Sequence, residues 1–142
     1  MVGDIIHSNT KHGLIAQNKV ELRAIEKGYM ISRPITECSR YDAIIDFGTH
    51  LERVQIKYAG SKHTESSGVC VVDFRKKSIN GIMRKTYSAD EVDAILVYLP
   101  DIDEICYFPI SFIKGKGRLS IRYAKSKNNQ KSGIILADNY IW

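Results

Sequence analysis

The chain has 142 residues, and with about 100 to 200 residues per domain as the prior, it is expected to form one domain over 1–142. Hydrophobic residues make up 44% and charged residues 26%, with 3 Pro and 10 Gly, which excludes a disordered, collagen-like or repeat polypeptide. The 21 Lys and Arg against 16 Asp and Glu give a net charge of +5, so a polyanionic partner is favoured over a cationic one. Cys38, Cys70 and Cys106 are an odd number and lie too far apart for a disulfide framework or a CxxC knuckle. The opening MVGDIIHSNTKHG has no apolar signal core, and no apolar run approaches the roughly 20 residues that span a bilayer. A reducing, cytoplasmic setting without membrane association is the expectation.

In chain order, Ala16, Val20 and Ala24 recur at every fourth position between residues 11 and 27, and Gly28 stands where a helix would end. The spacing predicts a helix over 11–27 whose packed face is bordered by Gln17. Residues 29–31 predict a short strand, and Ser32, Pro34 and the polar TECSR stretch a loop. Residues 41–47 and 51–58 read as two strands joined by Gly48 and Thr49, a pair suited to a two-residue hairpin turn. Further strands are expected at 69–74, 92–99 and 104–110, the last two turning around Pro100 and Asp101.

Charge is distributed unevenly. Residues 75–85 hold Arg75, Lys76, Lys77, Arg84 and Lys85 with no acid, and their Asn80-Gly81 pair predicts a surface loop. Residues 114–131 hold Lys114, Lys116, Arg118, Arg122, Lys125, Lys127 and Lys131, again with no acid. These windows carry twelve of the 21 positive charges. A strand over 118–123 would place Arg118, Ser120 and Arg122 on one face. Conversely, residues 90–104 carry six acids and no base, and are expected to be solvated or turned toward a partner's basic surface.

The hairpin brings polar groups together. Side chains alternate across a strand, so Asp42, Ile44 and Asp46 share one face, as do Arg53, Gln55 and Lys57. With Gly48 and Thr49 as the turn, Phe47 pairs with His50 and Asp42 falls opposite Gln55, with Lys57 one same-face step beyond. A carboxylate, a side-chain amide, an ammonium and the Ile56 carbonyl are thereby clustered, a possible hard-metal site beside a positive charge. Such a set suits phosphodiester hydrolysis, in which Mg²⁺ acidifies water and neutralises phosphate while a lysine stabilises developing charge. The pattern alone favours a solvated sheet face with an ordinary ion pair.

The run SRYDAIIDFGTHLERVQIKYA, preceded by EKGYMISRP, resembles the group I intron-associated homing endonucleases of the PD-(D/E)XK restriction-like superfamily. The resemblance continues through Glu91-Val92-Asp93, VYLPD at 97–101, YFPI at 107–110 and NNQKSGI at 128–134. It implies an α/β restriction-endonuclease-like core: a mixed central β-sheet, the N-terminal helix packed on it, and basic β-rich extensions embracing double-stranded DNA. It places Asp42 at the first motif position, Gln55 at the (D/E) position and Lys57 at the motif lysine. The family's helix Glu, four residues after a Gly, is represented by Gln17, counted from Gly13. Gln17, Asp42, Gln55 and Ile56 are then the implied Mg²⁺ ligands, with Mn²⁺ expected to substitute.

With Gln at both 17 and 55, Asp42 is the single carboxylate of that set, so metal binding is expected to be weak. Natural tolerance, an inactive member and a deliberate Glu-to-Gln change all produce this sequence. The implied activity is sequence-specific double-strand cleavage by a homo-oligomer, dimer or tetramer, since two strands must be cut. A Holliday-junction-type resolvase and a non-catalytic DNA-binding module are the alternatives. The four His are scattered and make no zinc pattern, and the eight Tyr suit half-buried strand positions.

Overall fold

Small residues on one stripe let a helix lie close to a sheet, and α1 (Ser8–Glu26) buries Ala16, Val20 and Ala24 in this way. It begins three residues before the periodicity predicts, because its first turn is exposed and leaves no apolar signature. Gly28 adopts φ +80° just past its end, the left-handed conformation that closes a helix cheaply only at glycine. The computed structural model describes residues 3–37, 39–61, 68–77, 84–125 and 135–142.

The central sheet is mixed. It is built from β1 (Met30–Ser32), β2 (Ala43–Asp46), β3 (Leu51–Tyr58), β8 (Ala94–Leu99) and β9 (Glu104–Pro109), in the order β1-β2-β3-β8-β9. Only β3 and β8 run parallel. All six residues of β8 are buried, as its unbroken apolar run AILVYL requires of a strand covered on both faces. On one side Ala43, Ile45, Val54, Ile56, Ala94 and Leu96 pack with Ala16 and Val20 of α1. At the far edge, the Tyr107 amide donates to the Tyr140 carbonyl and the Trp142 amide to the Ile105 carbonyl, so the chain's last residues cover β9.

The other side is covered by a second sheet. β4 (Gly60–Ser61), β5 (Val69–Asp73), β10 (Arg118–Arg122) and β11 (Ile135–Leu136) assemble in the order β11-β10-β5-β4. Cys70, Val72, Leu119 and Ile121 turn inward to meet Ile95, Val97, Leu99 and Phe108. The basic stretch after β5 is likewise more than a loop: β6 (Lys76–Lys77) and β7 (Arg84–Lys85) pair antiparallel, with Lys76 opposite Lys85 and Lys77 opposite Arg84. The predicted Asn80-Gly81 turn lies outside the described residues. A short helix, α2 (Ile110–Ile113), follows β9 and buries Ile113.

The acidic stretch needs a correction, because much of it is paired within the chain. Asp93 accepts from Arg53 (Nη2 to Oδ1 2.9 Å), Asp101 from the Tyr123 hydroxyl at 2.7 Å, and Asp103 pairs with Lys19 at 2.8 Å. Glu104 lies 3.3 Å from Arg23. These acids tie elements together, and sequence distance hid their partners.

Candidate active site

The geometry of the hairpin starts at its turn. Gly48 takes φ +84°, which glycine tolerates at the first position of a tight turn. The Phe47 amide donates to the His50 carbonyl at 3.0 Å, and pairs from Asp46 with Leu51 to Ala43 with Val54 follow. One step further, the Asp42 amide donates at 2.9 Å to the carbonyl of Val54, the residue already opposite Ala43, so the ladder ends at Ala43 and the expected pairing of Asp42 with Gln55 is not part of it.

The Asp42 carboxylate turns back across the strand and accepts the Ile56 amide on Oδ2 at 2.9 Å. The amide and carbonyl of one strand residue point to the same side, so the Ile56 carbonyl faces the flank on which Asp42 lies. Burial raises the Asp42 pKa above the ordinary carboxylate value, and the Ile56 bond and the Lys57 ammonium only partly oppose that shift. A carboxyl in this setting gains from a cation brought beside it.

Helix α1 delivers the next group. Gln17 follows the buried Ala16, and it lines with Asp42 a cavity of about 160 Å³. Tyr41 and Glu37 border the same cavity. Glu37 is a second carboxylate that the motif does not contain; it lies in the irregular TECSR stretch, where no periodicity marks which residues face inward. Gln55 and Lys57 continue along β3, outside that cavity lining. The Lys57 ammonium lies 5.2 Å from the ring centre of Tyr87, a residue sequence reasoning assigned to a half-buried strand position. Tyr87 is instead a core residue preceding β8, and its proximity to Lys57 has no local sequence signal.

The donors that the resemblance implies for a metal are the Asp42 carboxylate, the Gln17 and Gln55 amide oxygens and the Ile56 carbonyl, of which Asp42 and Gln17 line one cavity and Gln55 does not. All are hard oxygens, which fits Mg²⁺, an ion that takes one or two carboxylates and completes its shell with water and substrate phosphate. Among the described residues no three His, Cys, Asp or Glu side chains gather at a metal-binding distance. The charge balance at such a site would therefore depend heavily on the phosphate.

The basic residues fall into two groups. On β10, Arg118 and Ser120 are exposed and Arg122 is half-buried, alternating with buried Leu119 and Ile121, so all three point away from the core. Across the ladder Arg118 faces Asp73, whose carboxylate accepts from Arg75 Nε at 2.9 Å and lies 3.7 Å from Arg118. These two arginines hold the Asp73 carboxyl well below its usual range. The paired strands β6 and β7 place Lys76, Lys77, Arg84 and Lys85 in one ribbon. Lys114 follows α2, Lys116 sits 4.9 Å from the Phe112 ring centre and Lys125 is exposed. Lys127 and Lys131 lie outside the described residues.

A helix on a mixed sheet, with an Asp-to-Gln-x-Lys hairpin in its middle strands, defines a restriction-endonuclease-like protein. The chain belongs to the PD-(D/E)XK endonuclease family, which it matches over residues 7–142. Among solved structures it is similar to a bacterial homing endonuclease, I-Ssp6803I, with a TM-score of 0.76 and 24% identity over 95% of this chain and 89% of that one. Comparison with curated proteins gave no match. No helix among the described residues is long and apolar enough to cross a membrane.

Proposed function

We propose that this chain is a Mg²⁺-dependent endonuclease of the cytoplasm that cuts double-stranded DNA at a specific site, as an intron-homing enzyme does. The observation that carries this reading is the hairpin itself: Asp42, just before β2, holds the amide of Ile56, the residue between Gln55 and Lys57 on β3, beside a cavity that Gln17 shares with Asp42. In this reading Asp42, Gln17, Gln55 and the Ile56 carbonyl hold the ion, with Mn²⁺ able to replace it. When bound, that ion supplies neutralisation of phosphate charge and a more acidic water. Asp42 is kept in place by the Ile56 amide, so its free oxygen is already oriented before substrate arrives. Lys57 directs its ammonium at the charge that develops on the scissile phosphate, an interaction stronger in the transition state than in the ground state.

The ribbon of β6 and β7 and the outer face of β10 are the duplex contacts of this reading, Lys and Arg neutralising phosphates and releasing counterions. Each chain carries one such cluster and a duplex has two strands, so a homodimer or tetramer performs the cleavage. A second reading, a DNA-binding module without catalysis, is favoured by one observation: Gln occupies both positions 17 and 55.

The deciding experiment presents a randomised linear duplex library and a four-way junction to this chain and to Gln17→Glu, with Mg²⁺ or Mn²⁺. Site-specific cutting of linear duplex is the expected result. Cutting confined to the junction would replace the homing reading with a resolvase. Tight duplex binding without cutting by either form under either metal would establish the binding-module reading.

A further inference from the structure

A lysine that acts on a phosphate must hold a flexible four-carbon stem in one place, and the rotamer freedom lost in doing so opposes catalysis unless something else restrains it. Lys57 has such a restraint. Its ammonium lies 5.2 Å from the centre of the Tyr87 ring, within the range at which a ring face attracts a cation. Tyr87 comes from the segment between β7 and β8, thirty residues away in sequence, and is 5% exposed. It belongs to the core cluster containing Ile95 and Val97, and these two are the β8 residues paired with Gln55 and Lys57. The ring is therefore bedded on the strand next to the one that carries the lysine.

The phenol also feels the site. Burial pushes its pKa up to about 12, and Asp42 and Glu91 add to the shift, so the group stays neutral beside the carboxylates.

We propose that Tyr87 is a positioning residue of the nuclease site, its buried ring holding the Lys57 ammonium in place for the scissile phosphate. This rests on Lys57 being the lysine of the proposed active site. The role belongs to the ring and not to the hydroxyl, which separates it from a hydrogen-bonding or proton-transfer function.

The test uses the full chain carrying Gln17→Glu, with Mg²⁺ or Mn²⁺ and a cleavable duplex. Lys57→Ala comes first: unchanged single-turnover cleavage would remove Lys57 from the chemistry and overturn both the site reading and the proposal. If cleavage is lost, Tyr87→Phe and Tyr87→Leu are compared. Tyr87→Phe should cleave within about twofold of the parent, while Tyr87→Leu should fall by about tenfold or more, with duplex affinity held within about twofold. Tyr87→Met serves as the ring-free variant if the Leu form does not fold. Equal rates for the ring-free and Phe variants, or a rate loss matched by an equal affinity loss, would overturn the proposal while leaving Lys57 in its place. A readout independent of cleavage is the Lys57 ε-methylene proton resonance, assigned by its loss in Lys57→Ala. The ring current of Tyr87 should displace it upfield in the parent and in Tyr87→Phe, and the displacement should vanish in the ring-free variant. Its persistence there would overturn the proposal.

Discussion

Just before β2 of the central sheet, Asp42 has the Ile56 amide and the field of Lys57 to set against its burial, and the balance leaves its pKa raised. On the outer face of the second sheet, Asp73 is gripped by Arg75 and approached by Arg118, and its pKa is lowered. The two regions are built from the same residue types with opposite outcomes. Where a carboxylate is surrounded by amides and backbone, the folded state carries an electrostatic cost that a ligand cation can relieve. Where it is surrounded by guanidinium groups, the charge is already compensated, and a polyanion approaching that surface must compete with Asp73 for the arginines. In the proposed reading the first region receives a metal and the second meets DNA, a difference that mutations can test from both sides.

The largest expected effect lies at the uncompensated carboxylate. In a Gln17→Glu background, Asp42→Ala should lower single-turnover cleavage by on the order of a hundredfold or more, at least as much as the loss of groups that merely support metal ligands. Lys57→Ala should lower the rate by a similar order while changing duplex affinity little, since its interaction strengthens in the transition state. Rate and affinity falling together in Lys57→Ala would make the lysine a phosphate anchor, and the asymmetry between the two regions would lose its catalytic meaning.

Restoring a carboxylate on α1 probes the same region more gently. Gln17→Glu should raise cleavage by about tenfold and slightly weaken metal-free binding to duplex, because it adds a negative charge to a cavity that Asp42 already lines. No change in cleavage, with Asp42→Ala still inactive, would put residue 17 outside the metal shell.

The third effect is thermodynamic and needs no substrate. Asp42 has a raised pKa in the folded chain, so between the unfolded and folded values the folded state binds more protons, and its stability rises as pH falls through that window. Above the folded value, the cost of the buried charge is fully present. Asp42→Asn retains an oxygen for the Ile56 amide and removes that charge, so at pH 7.5 without metal it should raise Tm by about 2 to 5 °C. The gain should shrink as the pH is lowered toward 4. Thermal melts across pH for the two forms check this, and a Tm that falls at neutral pH would show that the ionised carboxylate is stabilising.

Legibility followed the range of the forces involved. The helix and the hairpin register as far as Ala43 with Val54 were readable because period-four spacing and a Gly-Thr turn act within a few residues, whereas the pairing of Asp42 with Gln55 expected from the same count is not in the ladder. The motif resemblance then assembled groups from α1 and β3 that periodicity alone leaves separate. What escaped depends on contacts between distant segments: Tyr87 against Lys57, and the inward face of the second sheet. The strand containing Arg118 and Arg122 had the expected alternation, yet its alternate residues Leu119 and Ile121 pack into a core that a free DNA-embracing arm would not possess. The acidic stretch looked like an outward surface for the same reason, since Arg53, Lys19 and Arg23, which engage its acids, are contributed by β3 and α1.

The smallest expected effects distinguish members of the compensated region. Arg75 binds Asp73 through two nitrogens, whereas Arg118 lies 3.7 Å from the same carboxylate and its side chain is mostly exposed on β10. Arg118 is thus the freer of the two to reach a base edge, where an arginine contacts guanine bidentately. Arg118→Ala should cost roughly 1 to 3 kcal/mol on the target duplex and relax preference at one base pair, with little effect on a scrambled duplex. Arg75→Ala should weaken both duplexes alike, or leave both unchanged if the arginine serves Asp73 alone; a phosphate contact would lower the salt slope by about one. Asp73→Asn releases both arginines, so it should strengthen binding to scrambled duplex more than to target and thereby reduce discrimination. The measurement is a salt titration of binding to the two duplexes for each variant. If Asp73→Asn leaves the ratio of the two affinities unchanged, Asp73 does not restrain the DNA surface.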